Sequence, residues 1–170
     1  MPQSRPCGEP PTLGETDHPE RDISIGRIAN MEANRKLVIA LYSDDSTVRD
    51  SVKSALGKRV SKDLPENEIK EFATADALRL FVDAKKSIDL FILDGEAVPE
   101  GGMGVARQLK DEVFNCPPVL LITGRAQDNW LATWSRAEAT VTHPIDPFTL
   151  ARKCAELLKS SIDLNLSSSK

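Results

Sequence analysis

Four short apolar runs in this chain each end on polar residues: Leu37 to Tyr42 on Ser43-Asp44-Asp45, Ile88 to Leu93 on Asp94, Val119 to Ile122 on Thr123, and Ala139 to Thr142 on His143-Pro144. Runs that are apolar at consecutive positions suit strands buried on both faces, as in a parallel sheet sandwiched between helices. In such a sheet ligands bind outside the carboxyl ends of the strands. The pattern predicts that Asp44, Asp94, Thr123 and His143 converge on one pocket.

Between these runs lie amphipathic stretches. After a first strand at Lys36 to Ser43, a helix from Thr47 sets Val48, Val52, Ala55 and Leu56 on one face, capped by Ser46 or Asp45 and ended by Gly57. Lys58 to Glu68 is a polar connector, longer than the usual roughly two to six residues, before a second strand at about Ile69 to Ala75. Asp76 opens a helix carrying Leu78, Phe81 and Val82; the third strand, Ile88 to Asp94, is followed by a helix with Ala106, Leu109 and Val113. The fourth strand follows Pro117-Pro118, a helix begins near Asp128, the fifth strand is Thr140 to His143, and a last helix aligns Leu150, Cys154, Leu157 and Leu158. Strict alternation with right-handed crossovers predicts an α/β fold, a doubly wound (βα)5 flavodoxin-like sandwich whose parallel five-stranded sheet has the order 2-1-3-4-5. Its switch point lies between strands one and three, where Asp44 and Asp94 end up.

The 170 residues suffice for one domain with a core, expected over 35–160, with 161–170 as a flexible serine-rich tail. Residues 1–34 hold Pro2, Pro6, Pro10, Pro11 and Pro19 without a helical or strand period, and are expected to be a disordered extension; Met31 offers an alternative start. A net charge of −4 and the lack of Lys/Arg-rich runs argue against nucleic acid as a partner. No apolar stretch approaches the ~20 residues that span a bilayer, and no signal-peptide core is seen, so a cytoplasmic protein with no membrane partner is expected. Cys7, Cys116 and Cys154 lie far apart without metal-ligand spacing and read as inert thiols.

Two carboxylates from adjacent strand ends with few cations nearby call for a hard cation, and Mg²⁺ is the natural candidate. One of them, Asp94, can then act as nucleophile toward a phosphoryl donor, with Thr123 offering a hydroxyl and protonated His143 a positive charge.

In the order and spacing of these strand-end residues the segment Arg35 to Ser160 resembles the receiver domain of two-component response regulators. The resemblance implies a phosphoacceptor at Asp94 within Ile88-Asp89-Leu90-Phe91-Ile92-Leu93-Asp94, a metal site from Asp44 and Asp94 with the backbone carbonyl of Glu96, and phosphate contacts from Thr123 and His143. It implies phosphorelay signalling rather than enzymatic turnover, a sensor histidine kinase or small phosphodonor upstream, and a protein effector on the face of helix four, strand five and helix five. A monomer or weak dimer is expected.

The departures are informative. Ser43 stands where the family has an acidic residue, so Mg²⁺ is expected to bind weakly unless Asp45 turns in to replace the missing carboxylate. His143 replaces the family's Lys; imidazole is shorter and titrates near neutrality, so its help depends on pH and geometry. Pro144 suggests a cis peptide. Trp130 and Trp134, at i and i+4, are more often core than ligand contacts, but an exposed pair would mark an interface. Two rivals follow. A phosphorylation-independent pseudo-receiver adaptor is favoured by Ser43 and His143. A flavodoxin-like cofactor-binding protein needs a phosphate-cradling loop after strand one, where Asp44 and Asp45 would repel the anion.

Overall fold

The computed structural model describes residues 35–125 and 129–168. In chain order these form β1 (Leu37–Tyr42), α1 (Ser46–Leu56), β2 (Asn67–Phe72), α2 (Ala75–Asp83), β3 (Leu90–Asp94), α3 (Gly102–Glu112), β4 (Val119–Thr123), α4 (Asn129–Ser135), β5 (Ala139–Thr142) and α5 (Pro147–Ser168). The strands make one parallel sheet in the order β2-β1-β3-β4-β5, as the alternation predicts. The extension expected over 1–34 lies outside the described residues.

The unbroken apolar runs have the expected cause. Every residue of β3 and β4 is buried, and successive side chains feed opposite layers. Ile39, Leu41, Ile92, Leu120 and Ile122 pack with Val52 and Leu56 of α1 and with Leu150, Cys154 and Leu158 of α5. Ala40, Tyr42, Phe91, Leu93 and Leu121 pack with Leu78 of α2 and with Val105, Ala106 and Leu109 of α3. Each fully buried large aliphatic side chain contributes about 1.5–3 kcal/mol. The edge strand β2, rich in charge, is only partly buried. Burial pushes the Cys154 thiol up to about 12, in keeping with an inert core cysteine.

Several boundaries differ from expectation by a residue or two, β3 beginning at Leu90 rather than Ile88 among them, and three differences have a visible cause. β2 begins at Asn67 rather than Ile69 because Asn67 already pairs with Leu37. Thr74, expected inside that strand, instead caps α2, its hydroxyl accepting the Ala77 N–H at 3.3 Å. Residues 161–168, read from the sequence as part of a flexible tail, continue α5 to Ser168; neither Pro nor Gly interrupts the helix after Pro147, and Ile162 packs against the core.

α3 starts hard against the end of β3. A Cβ on Gly102 would lie 2.5 Å from the Asp94 carbonyl oxygen, whereas one on Gly104 would meet nothing within 4 Å. Gly102→Ala is expected to cost about 1–3 kcal/mol as overpacking against rigid backbone, and Gly104→Ala to be neutral or stabilising. Urea unfolding midpoints measure both.

Candidate functional site

Strand pairing sets Tyr42 opposite Leu93, Asp94 opposite Ile122, and Thr123 opposite Thr142. The carboxyl ends of β1, β3, β4 and β5 therefore carry Ser43, Asp94, Thr123 and His143 at one edge of the sheet; of the four residues expected to converge, Asp44 lies one position beyond Ser43, on the exposed turn. Ser43 and Thr123 are fully buried and Asp94 is 2% exposed. A carboxylate at that depth needs donors, and two come from its own neighbourhood. Ser43 Oγ donates to Asp94 Oδ2 at 2.7 Å, and the Glu96 amide donates to Oδ1 at 3.0 Å. The Thr123 hydroxyl, in contrast, finds no hydrogen-bond partner among the described residues. A buried hydroxyl left without a partner costs about 1–3 kcal/mol, and such an orphan calls for a partner that the described residues do not supply.

Around this centre the loops set the rim. Asp44 is exposed at the end of β1, and Arg49 Nη1 donates to the carbonyls of Ser43 and Asp44 at 2.7 and 3.1 Å, fixing the β1–α1 turn. Asp45 does not turn into the pocket: it is the N-cap of α1, its Oδ1 accepting the Thr47 N–H at 2.7 Å, and that bond holds its carboxyl below the usual carboxylate range. The expected substitute for the missing acid is thus occupied in helix capping. The exposed Glu96 carboxylate lies over the turn after β4, where a Cβ on Gly124 would come within 2.8 Å of Oε1. His143 is half-buried, and its backbone N–H donates to the Thr123 carbonyl at 2.9 Å. The His143–Pro144 peptide is cis, as the sequence suggests; Val98–Pro99, not anticipated, is cis too.

Sequence reasoning missed Tyr42, which counts as one more apolar residue in its run. Its buried hydroxyl donates to the Glu100 carbonyl at 2.6 Å. Burial raises the phenol's pKa, and the charges of Glu100, Asp44 and Asp94 add to the rise while Arg79 opposes it. The only signal available was a hydroxyl where an aliphatic residue would suffice. Trp130 and Trp134, by contrast, are 66% and 52% exposed, so the core assignment favoured by their spacing is corrected. α4 is short and turns them outward; Arg107 of α3 sits 6.0 Å from the Trp134 ring centre, within cation–π range.

The residues expected to hold a metal, Asp44, Asp94 and the Glu96 carbonyl, would offer two carboxylates and one neutral oxygen, to which waters and a ligand oxygen would be added. That suits Mg²⁺, which takes one or two carboxylates and keeps its waters. Among the described residues no cluster of three metal-ligating side chains occurs, so the site is one carboxylate leaner than a three-acid pocket.

Comparison with known proteins agrees with this fold. The chain is 50% identical over 129 residues to a response regulatory protein of Mycobacterium tuberculosis strain H37Rv, covering 76% of this chain and 96% of the relative. The counterpart in strain CDC 1551 / Oshkosh matches equally. This chain belongs to the response regulator family. No protein-family model matches it. Among solved structures, the CheY-like response regulator receiver domain protein of Methanospirillum hungatei superposes with a TM-score of 0.62 at 20% identity, covering 76% of this chain and 98% of that one. The BeF3-activated DrrB receiver domain gives 0.60 at 20% identity, with 74% and 99% covered. The receiver fold is thus shared, on a sequence that has diverged far from these structures. No helix among the described residues of this receiver is long and apolar enough to cross a membrane.

The Asp45 cap has a pH signature. Its folded-state carboxyl titrates below the ordinary aspartate value of 3.8, so its contribution to stability is complete above that pH and is lost as pH falls through the lower folded value. Asp45→Ala is expected to lower the unfolding midpoint at neutral pH, with the gap to wild type narrowing as pH falls below the ordinary aspartate value; chemical denaturation at a series of pH values tests this.

Proposed function

We propose that this response regulator accepts a phosphoryl group on Asp94 and passes the signal on through protein contacts at the face of α4, β5 and α5. The observation that carries it is the orphaned hydroxyl of Thr123 beside the buried carboxylate of Asp94 at the closed end of the sheet. A phosphoryl group on Asp94 supplies the acceptor oxygens that this hydroxyl lacks. In the transfer, an Asp94 oxygen attacks phosphorus, the bond from phosphorus to the donor's leaving group breaks, and an acyl phosphate results. Mg²⁺, held by Asp44, Asp94 and the Glu96 carbonyl, would neutralise charge on the phosphoryl oxygens. His143 at the end of β5 takes the place of a lysine, supplying positive charge when protonated.

The donor is a sensor histidine kinase or a small acyl phosphate, and the chain is a switch rather than a turnover enzyme, acting in the cytoplasm as a monomer or weak dimer. The output surface is supported by the exposed Trp130 and Trp134, residue types enriched at interface hot spots. Since the curated relatives are matched over 96% of their length by this one domain, little room remains in them for a separate effector module. Phosphorylation would draw the Thr123 side chain toward Asp94 and bias an equilibrium in the adjacent α4. A second reading, a phosphorylation-independent adaptor, is favoured by the Ser43 bond to Asp94 and the diversion of Asp45 into helix capping.

Intact mass after incubation with Mg²⁺ and acetyl phosphate separates the two. A gain of one phosphoryl group that requires Mg²⁺ and is absent in Asp94→Asn is expected; no gain at saturating donor would establish the adaptor. Phosphorylation is further expected to change the fluorescence of Trp130 and Trp134 in wild type, and to change it little in Thr123→Ala that carries the same phosphoryl mass.

A further inference from the structure

The last residue of β1 and the one after it each place a buried hydroxyl on the segment between β3 and α3. Successive side chains of a strand point to opposite sides, and the two hydroxyls accordingly reach the two ends of that segment. Ser43 Oγ donates to the Asp94 carboxylate at its start, and Tyr42 donates to the Glu100 carbonyl at its end, at 2.7 and 2.6 Å. Both donors are fully buried. Between these anchors the Gly95 N–H extends the sheet ladder to the Ile122 carbonyl of β4 at 2.7 Å, and the turn then closes on itself, the Glu96 N–H donating to Asp94 Oδ1 at 3.0 Å and the Ala97 N–H to the Asp94 carbonyl at 3.3 Å. Arg79 of α2 pairs with the Glu100 side chain from outside. Packing alone does not ask for a phenol at position 42, because an aliphatic side chain would fill the layer without a polar group to satisfy. Nor is Ser43 a mere loss of charge. A second carboxylate beside Asp94 would repel it and require a cation between them, whereas a hydroxyl donates to Asp94 directly.

We propose that Tyr42 and Ser43 form a two-hydroxyl clamp, a pair of positioning residues that holds Asp94 and the loop to Glu100 in the pocket arrangement without a metal ion. The clamp rests on the phosphoacceptor reading only for its use; the arrangement itself can be measured without phosphorylation.

Amide hydrogen exchange on the whole chain, in EDTA and in excess Mg²⁺, tests it, with Tyr42→Phe and Ser43→Ala alongside. In wild type the amides of Glu96 and Ala97 are expected to exchange at the same slow rates with and without Mg²⁺. In EDTA each variant is expected to exchange them about fivefold to tenfold faster, the effect of losing one hydrogen bond, while the sheet amides of Leu93 and Leu121 stay unchanged and certify the fold. Wild-type loop amides that are protected only when Mg²⁺ is added would overturn the clamp. So would variants whose loop amides are unchanged, or quicken only in step with the sheet amides, which would reduce the two hydroxyls to general stability. A missing phosphoryl mass shift would leave these rates untouched, so failure of the clamp and failure of the phosphoacceptor reading are told apart.

Discussion

A carboxylate that is 2% exposed cannot be left to water, and the upper end of this sheet is arranged to satisfy Asp94. Its position follows from β3, a strand buried on both faces that ends where the apolar run ends. Its donors follow from the pairing of β1 with β3, which sets Ser43 beside it, and from the tight turn after it, which aims the Glu96 amide at its second oxygen. The turn in turn needs Gly102, because α3 begins within contact of the Asp94 backbone.

Charge and hydroxyl play different parts at this end of the fold. Where an acidic pair would bind a cation more tightly and leave the pocket dependent on it, Ser43 gives the acceptor a neutral donor and leaves Asp44 as the exposed acid. Charge-assisted bonds of this kind are worth about 1.5–3 kcal/mol in burial, enough to hold one carboxylate rotamer. Thr123 remains the one polar group of this buried trio without a partner among the described residues.

The helices on the two faces serve distinct ends. α1 and α5 seal one layer of the core, while α2 and α3 seal the other; α2 carries Arg79, and α3 begins where the loop that follows Asp94 ends. α4 presents Trp130 and Trp134 to solvent, and α5 presents Phe148 near its start.

The strand-end pattern was legible because burial on both faces writes itself as consecutive apolar residues, and because parallel crossovers force every carboxyl end to one edge. Asp94, Thr123 and His143 could be named from that alone, as could Gly57, whose positive φ of 55° ends α1. Side-chain direction and competing partners could not. Trp130 and Trp134 share a spacing that fits core or surface equally, and only the packing of a short α4 turns them outward. Asp45 is equally near the pocket and the helix start in sequence, and the free N–H of Thr47 claimed it. Tyr42 looked apolar until the loop folded back far enough to bring the Glu100 carbonyl to its hydroxyl, a contact across 58 residues that no local pattern encodes. Periodicity is a property of neighbours along the chain and so is written in it; which hydroxyl meets which carboxylate is settled by the pairing of strands and the close approach of α3.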